Sequence, residues 1–130
     1  MPSTTVADYQ VLQPRKFVLE NGGHDSEPLS FTLPSDFAHR NGARRPILAF
    51  KIRVFEDDTT FTAQIGGNDI FTVENLDTSH IRAHWKPFDA EDAFPNGTAS
   101  GSTQTLTIHM NSGKARFSDV VLWYQIRRDP

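Results

Sequence analysis

The chain has 130 residues and no cysteine, enough for one domain that buries roughly two-thirds of its unfolded surface without a disulfide or zinc staple. Its 13 Lys+Arg against 16 Asp+Glu leave a net charge of -3, which excludes a generally basic nucleic-acid binder, because neutralising phosphates takes a cationic excess. The 10 Phe supply too much ring surface for a disordered chain, and no apolar run approaches the ~20 residues of a membrane-spanning helix, so no membrane insertion is expected.

Residues 1–15 hold two prolines and no steady period, which predicts an extended N-terminal arm. Lys16–Glu20 (KFVLE) reads as a short strand ended by Asn21-Gly22-Gly23, a turn signal. Pro28–Leu33 alternates Leu29, Phe31 and Leu33 with Ser30 and Thr32, the pattern of a half-buried strand. Ser35–Ala38 fits one helical turn in the polar stretch that follows. Pro46–Phe55 puts Leu48, Phe50, Ile52 and Val54 on one face and Ala49, Lys51 and Arg53 on the other. A helix would scatter those charges around the core face, so a strand is predicted. Thr59–Ile65 and Ile70–Glu74 flank Gly66-Gly67-Asn68-Asp69, a hairpin signal. Ser79–Trp85 sets Ile81, Ala83 and Trp85 against His80, Arg82 and His84. After a long break from Pro87 to Ser102, Thr103–Met110 alternates again, and Asn111–Lys114 is a tight turn. Ala115–Ile126 is apolar on both faces from Val120 onward, which suits a central strand covered on both sides; Ser118-Asp119 interrupts the alternation as a bulge would. About eight strands, no long helix and no fixed repeat predict a single all-β domain over residues 1–130, an antiparallel β-sandwich.

The pieces FKIRV and FTAQIGGNDIF, then PNGTASGSTQTLTIHM, then the closing SGKARFSDVVLWYQI follow one another in a specific order. In that order Ile47–Ile126 resembles the galactose-binding-domain-like jelly roll. This is the sandwich of many carbohydrate-binding modules and of the non-catalytic sugar-binding domains of glycosidases. The resemblance implies a jelly-roll fold with ligand contacts from loops at one end. It implies no particular ligand, because the same sandwich also serves as a structural or assembly element.

The segment Trp85–Asn96 (WKPFDAEDAFPN) holds what sugar recognition needs. Trp85 and Phe88 offer ring faces for the C–H side of a pyranose, and Asp89, Asp92 and Asn96 offer planar groups for its hydroxyls. A plainer reading has Phe88 and Phe94 plugging the sandwich end while the carboxylates solvate the loop. The acidic cluster also presents oxygens suited to calcium, though without the D-x-D-x-D-G spacing; no other cofactor and no metal site is expected. His80 and His84, four apart on a strand, stand about 13 Å apart, too far to share an ion, and with Arg82 they fit a solvated face. Asp36, His39, Arg40, Arg44 and Arg45 share a loop suited to an anion or a subunit contact. Trp123 and Tyr124 fall on opposite faces of the last strand, so a solvent-facing Trp123 would mark a contact patch.

Enzyme signatures are missing: there is no G-x-S-x-G, P-loop or G-x-G-x-x-G, and the 5 His show no spacing of a cupin-like metal site. The chain therefore reads as a non-enzymatic, lectin-like carbohydrate-binding module taking a glycan or another small polar ligand through its end loops. The alternative is a structural or assembly protein, a homo-oligomer or a particle-decorating subunit beside a companion protein. Its motivation is the N-terminal arm and the charged tail Arg127-Arg128-Asp129-Pro130, segments of a kind that order against neighbours. The start Met1-Pro2-Ser3-Thr4-Thr5 has no basic or apolar signal region, which predicts a cytoplasmic protein and leaves release or a particle-borne location open.

Overall fold

Among the described residues, period-two alternation folds into ten strands in two antiparallel sheets. The computed structural model describes residues 4–38, 45–79, 81–89, 93–94 and 101–128. The strands are β1 (Thr4–Gln13), β2 (Phe17–Glu20), β3 (Ser26–Thr32), β4 (Phe37–Ala38), β5 (Ile47–Val54), β6 (Thr59–Ile65), β7 (Asn68–Leu76), β8 (Ile81–Pro87), β9 (Thr103–Ser112) and β10 (Lys114–Arg128). One sheet runs β1-β10-β5-β8, with β2 and β4 also pairing β10; the other runs β3-β9-β6-β7. The predicted all-β sandwich is observed, with more strands than the eight read from the sequence.

β10 organises the larger sheet. Its residues 120–128 pair β1 and its residues 114–117 pair β2, while β5 pairs residues 115–123 and β4 pairs Gln125 and Ile126. Residues 4–13, expected as an extended arm, are extended and dock on their own chain as β1. The helical turn expected at Ser35–Ala38 is instead a turn closed by Phe37 N–H donating to Pro34 O at 3.1 Å, followed by the two residues of β4. The bulge is present: register shifts between Ser118 and Val121, and Asp119 takes φ 50°. Gly66 and Gly67 take φ 60° and 84° between the paired Ile65 and Asn68, the two-residue turn that requires positive φ at both positions. Pro28 lies on β3, an edge strand, where its missing N–H breaks no inner ladder.

Between the sheets, Phe50 and Phe117 of the larger meet Phe61 of the smaller, with ring centroids 5.7 and 5.1 Å away and steep interplanar angles of 79° and 82°. Edge-to-face contact of this kind adds about 0.5–1.5 kcal/mol per pair to area burial. At one end Phe37 makes edge contacts with Phe94 at 5.4 Å and Tyr124 at 5.8 Å. Burial pushes the Tyr124 phenol above its ordinary pKa, Gln10 Nε2 donating to its oxygen at 3.2 Å pulls the other way, and the carboxylates of Asp8 and Asp36 raise it further.

Candidate functional site

Register decides which residues face water. Leu48, Phe50 and Ile52 of β5 are buried, and their partners on β8 are Lys86, His84 and Arg82. The polar set of β8 therefore lies on the inner side of its sheet, and Ile81, Ala83 and Trp85 face outward. This reverses the solvated face expected for His84, whereas Arg82, near the end of the strand, is exposed as expected. His84 is half-buried and stacks on Phe50, with centroids 5.4 Å apart and planes at 28°. Lys86 carries its Nζ to 5.7 Å from the Phe71 ring on the opposite sheet. At a sandwich rim, long side chains can cover apolar surface with their stems and still wet their heads, so the apolar set is free to face outward.

The same parity holds on the neighbouring strands. Trp123 pairs Tyr9 of β1 on one side and Ile47 of β5 on the other, and Ala49 pairs Val121 and Trp85. Trp85 is 66 % exposed, Tyr9 53 % and Trp123 42 %, and the Tyr9 and Trp123 rings lie 4.8 Å apart with planes 36° from parallel. A trough of about 320 Å³, walled by Trp85 and Trp123 and floored by Ile47 and Ala49, opens between the indoles. Two strand spacings and one same-face step separate the tryptophans by about 12 Å. The expectation that β10 is covered on both sides is corrected here: its second apolar face is this exposed surface.

Of the residues expected to bind ligand, Trp85 is on β8 rather than in the following loop and forms one wall of the trough. Phe88 is 2 % exposed; its N–H donates to Pro46 O at 3.0 Å, and its buried ring offers no face to a sugar. The carboxylate of Asp89 is exposed, while its carbonyl accepts from Ala93 N–H at 3.2 Å. Asp92 and Asn96 lie outside the described residues, as do His39, Arg40, Arg44 and His80. Sequence reasoning missed Tyr9 and the trough floor; the signal available was the double-sided apolar run of β10 beside the apolar stripe of β8.

Among the described residues no group of three or more His, Cys, Asp or Glu is placed to hold a metal ion, and no helix is long and apolar enough to cross a membrane. No family model matches the chain, and no curated protein matches it. Solved structures do. The chain is similar to latent PorU from Porphyromonas gingivalis, with 10 % identity, a TM-score of 0.53 and 98 % of this chain covered, but it spans only 13 % of that protein. It is also similar to the C-terminal CBM6 of LamC from Zobellia galactanivorans, with 7 % identity, a TM-score of 0.49 and 95 % and 99 % of the two chains covered. A carbohydrate-binding module CBM36 solved in complex with calcium and xylotriose gives 12 % identity, a TM-score of 0.47 and coverage of 91 % and 97 %. The likeness is one of fold.

Proposed function

We propose that the protein is a non-enzymatic binding module for a polysaccharide, and that the chain of sugars lies on the outer face of the larger sheet rather than in the end loops. The supporting observation is the pair of solvent-exposed indoles, Trp85 and Trp123, set across an apolar trough. Pyranose rings present flat C–H faces that stack on aromatic rings, and a spacing of about 12 Å accommodates more than one ring along an extended chain. Tyr9 extends the row across β1.

The experiment is a tryptophan-fluorescence and affinity-electrophoresis screen against soluble polysaccharides, run with and without chelator to test whether the acidic loop takes calcium. Binding that Trp85→Ala and Trp123→Ala each weaken at least tenfold supports the reading. No binding to any polysaccharide, or binding indifferent to both substitutions, refutes it. Because Trp85 is mostly exposed, its replacement leaves the melting temperature nearly unchanged.

A second reading is favoured by one observation: the trough floor, Ile47 and Ala49, offers no side-chain hydrogen bond to a hydroxyl. Protein interfaces have such apolar centres, so a second copy or companion protein on this face is the competing assignment. Light scattering across concentration separates the two, since a dimer that Trp123→Glu dissolves would displace the polysaccharide reading.

A further inference from the structure

One same-face step along β5 from the trough, the surface changes character. A groove of about 380 Å³ is lined by Lys16, Lys51, Arg53, Arg82 and Arg116, with Asp119 as the one acidic side chain among the described residues lining it. Lys51 Nζ lies 3.3 Å from the Asp119 carboxylate. On a chain of net charge -3, five cations against one anion is a marked local reversal of sign.

Two details of this groove point outward. Arg53 and Arg116 are directly opposite each other in register, and like charges so placed destabilise a sheet. Their guanidinium carbons lie 5.4 and 6.0 Å from the centroid of the Phe55 ring. A ring face holds a cation by its quadrupole without neutralising it, so both positive charges are retained for a partner. Planar guanidinium groups match carboxylate and sulfate geometry. The trough and the groove form one continuous face, since Ala83 pairs Lys51 while Trp85, two residues on, pairs Ala49.

We propose that the polysaccharide taken by this face is anionic, its carboxylate or sulfate groups held by Arg53, Arg116 and Lys51 while its uncharged ring faces stack on Trp85 and Trp123. This rests on the sheet-face reading above and specifies the class of its ligand. Phe55 is a positioning residue that sets the two guanidinium groups.

The test compares polymers of one backbone that differ in charge. The full chain is titrated with polygalacturonate and its methyl ester at matched length, and with dextran sulfate and dextran, which separates a carboxylate from a sulfate source. The expected result is at least tenfold tighter binding to one charged polymer than to its neutral partner. That preference falls about tenfold as ionic strength rises, because exposed charges are screened within about 10 Å at 0.1 M. Replacing both arginines (Arg53→Gln, Arg116→Gln) removes the preference, Arg53→Lys with Arg116→Lys retains part of it, and Phe55→Leu weakens only the charged polymer. Neutral polymers bound as tightly, through Trp85 and without response to the arginine changes, would overturn this inference and leave the sheet-face reading standing. Failure to bind any of the four overturns this inference, and no binding anywhere in the polysaccharide screen refutes both. Equal or tighter binding of a single-stranded oligonucleotide or of anionic phospholipid vesicles also overturns it.

Discussion

Replacing Gly113 with alanine tests whether the turn that launches β10, and with it Arg116 and Trp123, is held by backbone geometry and by one buried threonine. Gly113 takes φ 81°, and a Cβ there would come to 2.1 Å from Thr59 Oγ1 and 2.8 Å from Thr59 Cα. Thr59 cannot yield cheaply. It is fully buried; its hydroxyl donates to Glu56 O at 2.7 Å and accepts from Lys114 N–H at 3.2 Å. The left-handed conformation costs an L-residue about 1–2 kcal/mol, and leaving the buried threonine unmatched adds about 1–3 kcal/mol. Together they give about 3 kcal/mol, a large share of the ~5–15 kcal/mol that holds a domain folded. In urea, with a slope of about 1.5–2 kcal/mol per M, the midpoint falls by about 1.5–2 M. Gly67→Ala is the control: φ is 84° but nothing lies within 4 Å of its Cβ. It bears conformational strain alone, partly offset by the stiffer unfolded chain, and its midpoint moves by about 0.5 M. Equal shifts for the two variants, read by tryptophan fluorescence, would show that Thr59 gives way freely and that this account of the turn is wrong.

Two further outcomes follow from charge. The fold favours the neutral Tyr124 phenol, so the folded pKa lies above the unfolded one. The stabilisation is fully present below about pH 10 and is lost as pH rises through the folded value; denaturation midpoints near pH 9 and pH 11 should therefore diverge in the wild type and converge in Tyr124→Phe. Arg116→Glu converts the like-charged cross-strand pair with Arg53 into an opposite one, which raises stability by about 0.5 kcal/mol while abolishing binding of the charged polymer. Calorimetry and titration on the same sample check that the two properties move in opposite directions, and a simultaneous fall in both would count against the charge argument.

Strands with one polar and one apolar face were legible locally. β5 and β6 hold the expected inward sets, Leu48, Phe50, Ile52 and Val54, then Phe61, Ala63 and Ile65, because alternation at period two leaves no helical solution. Turns were legible where glycine is needed, at Gly66-Gly67 and at Gly113. What alternation cannot state is which stripe faces the core when both are half-polar. In β8 that choice follows from pairing with β5, a contact between residues 28 to 40 positions apart in the chain, and it reversed the face on which Trp85 stands. The docking of β1 is equally non-local, since only its partner β10 supplies the ladder that orders residues 4–13.

The candidate site was legible in its residue types and not in its place. An aromatic residue on a loop and an aromatic residue on a sheet read alike in sequence, yet they differ physically: Phe88 is buried, whereas Trp85 is held outward by the register of β8 on β5. Net charge misled in the same way. A value of -3 is an average over the whole surface, while binding responds to the potential within about a Debye length, roughly 10 Å at 0.1 M. Strand register brings Lys51 and Arg53 of β5 beside Arg116 of β10, so an acidic chain presents a cationic groove. The inference from net charge therefore holds against wide, phosphate-dense duplexes, which meet the whole face of a protein, and does not hold against a single charged chain narrow enough to follow that groove into the tryptophan trough.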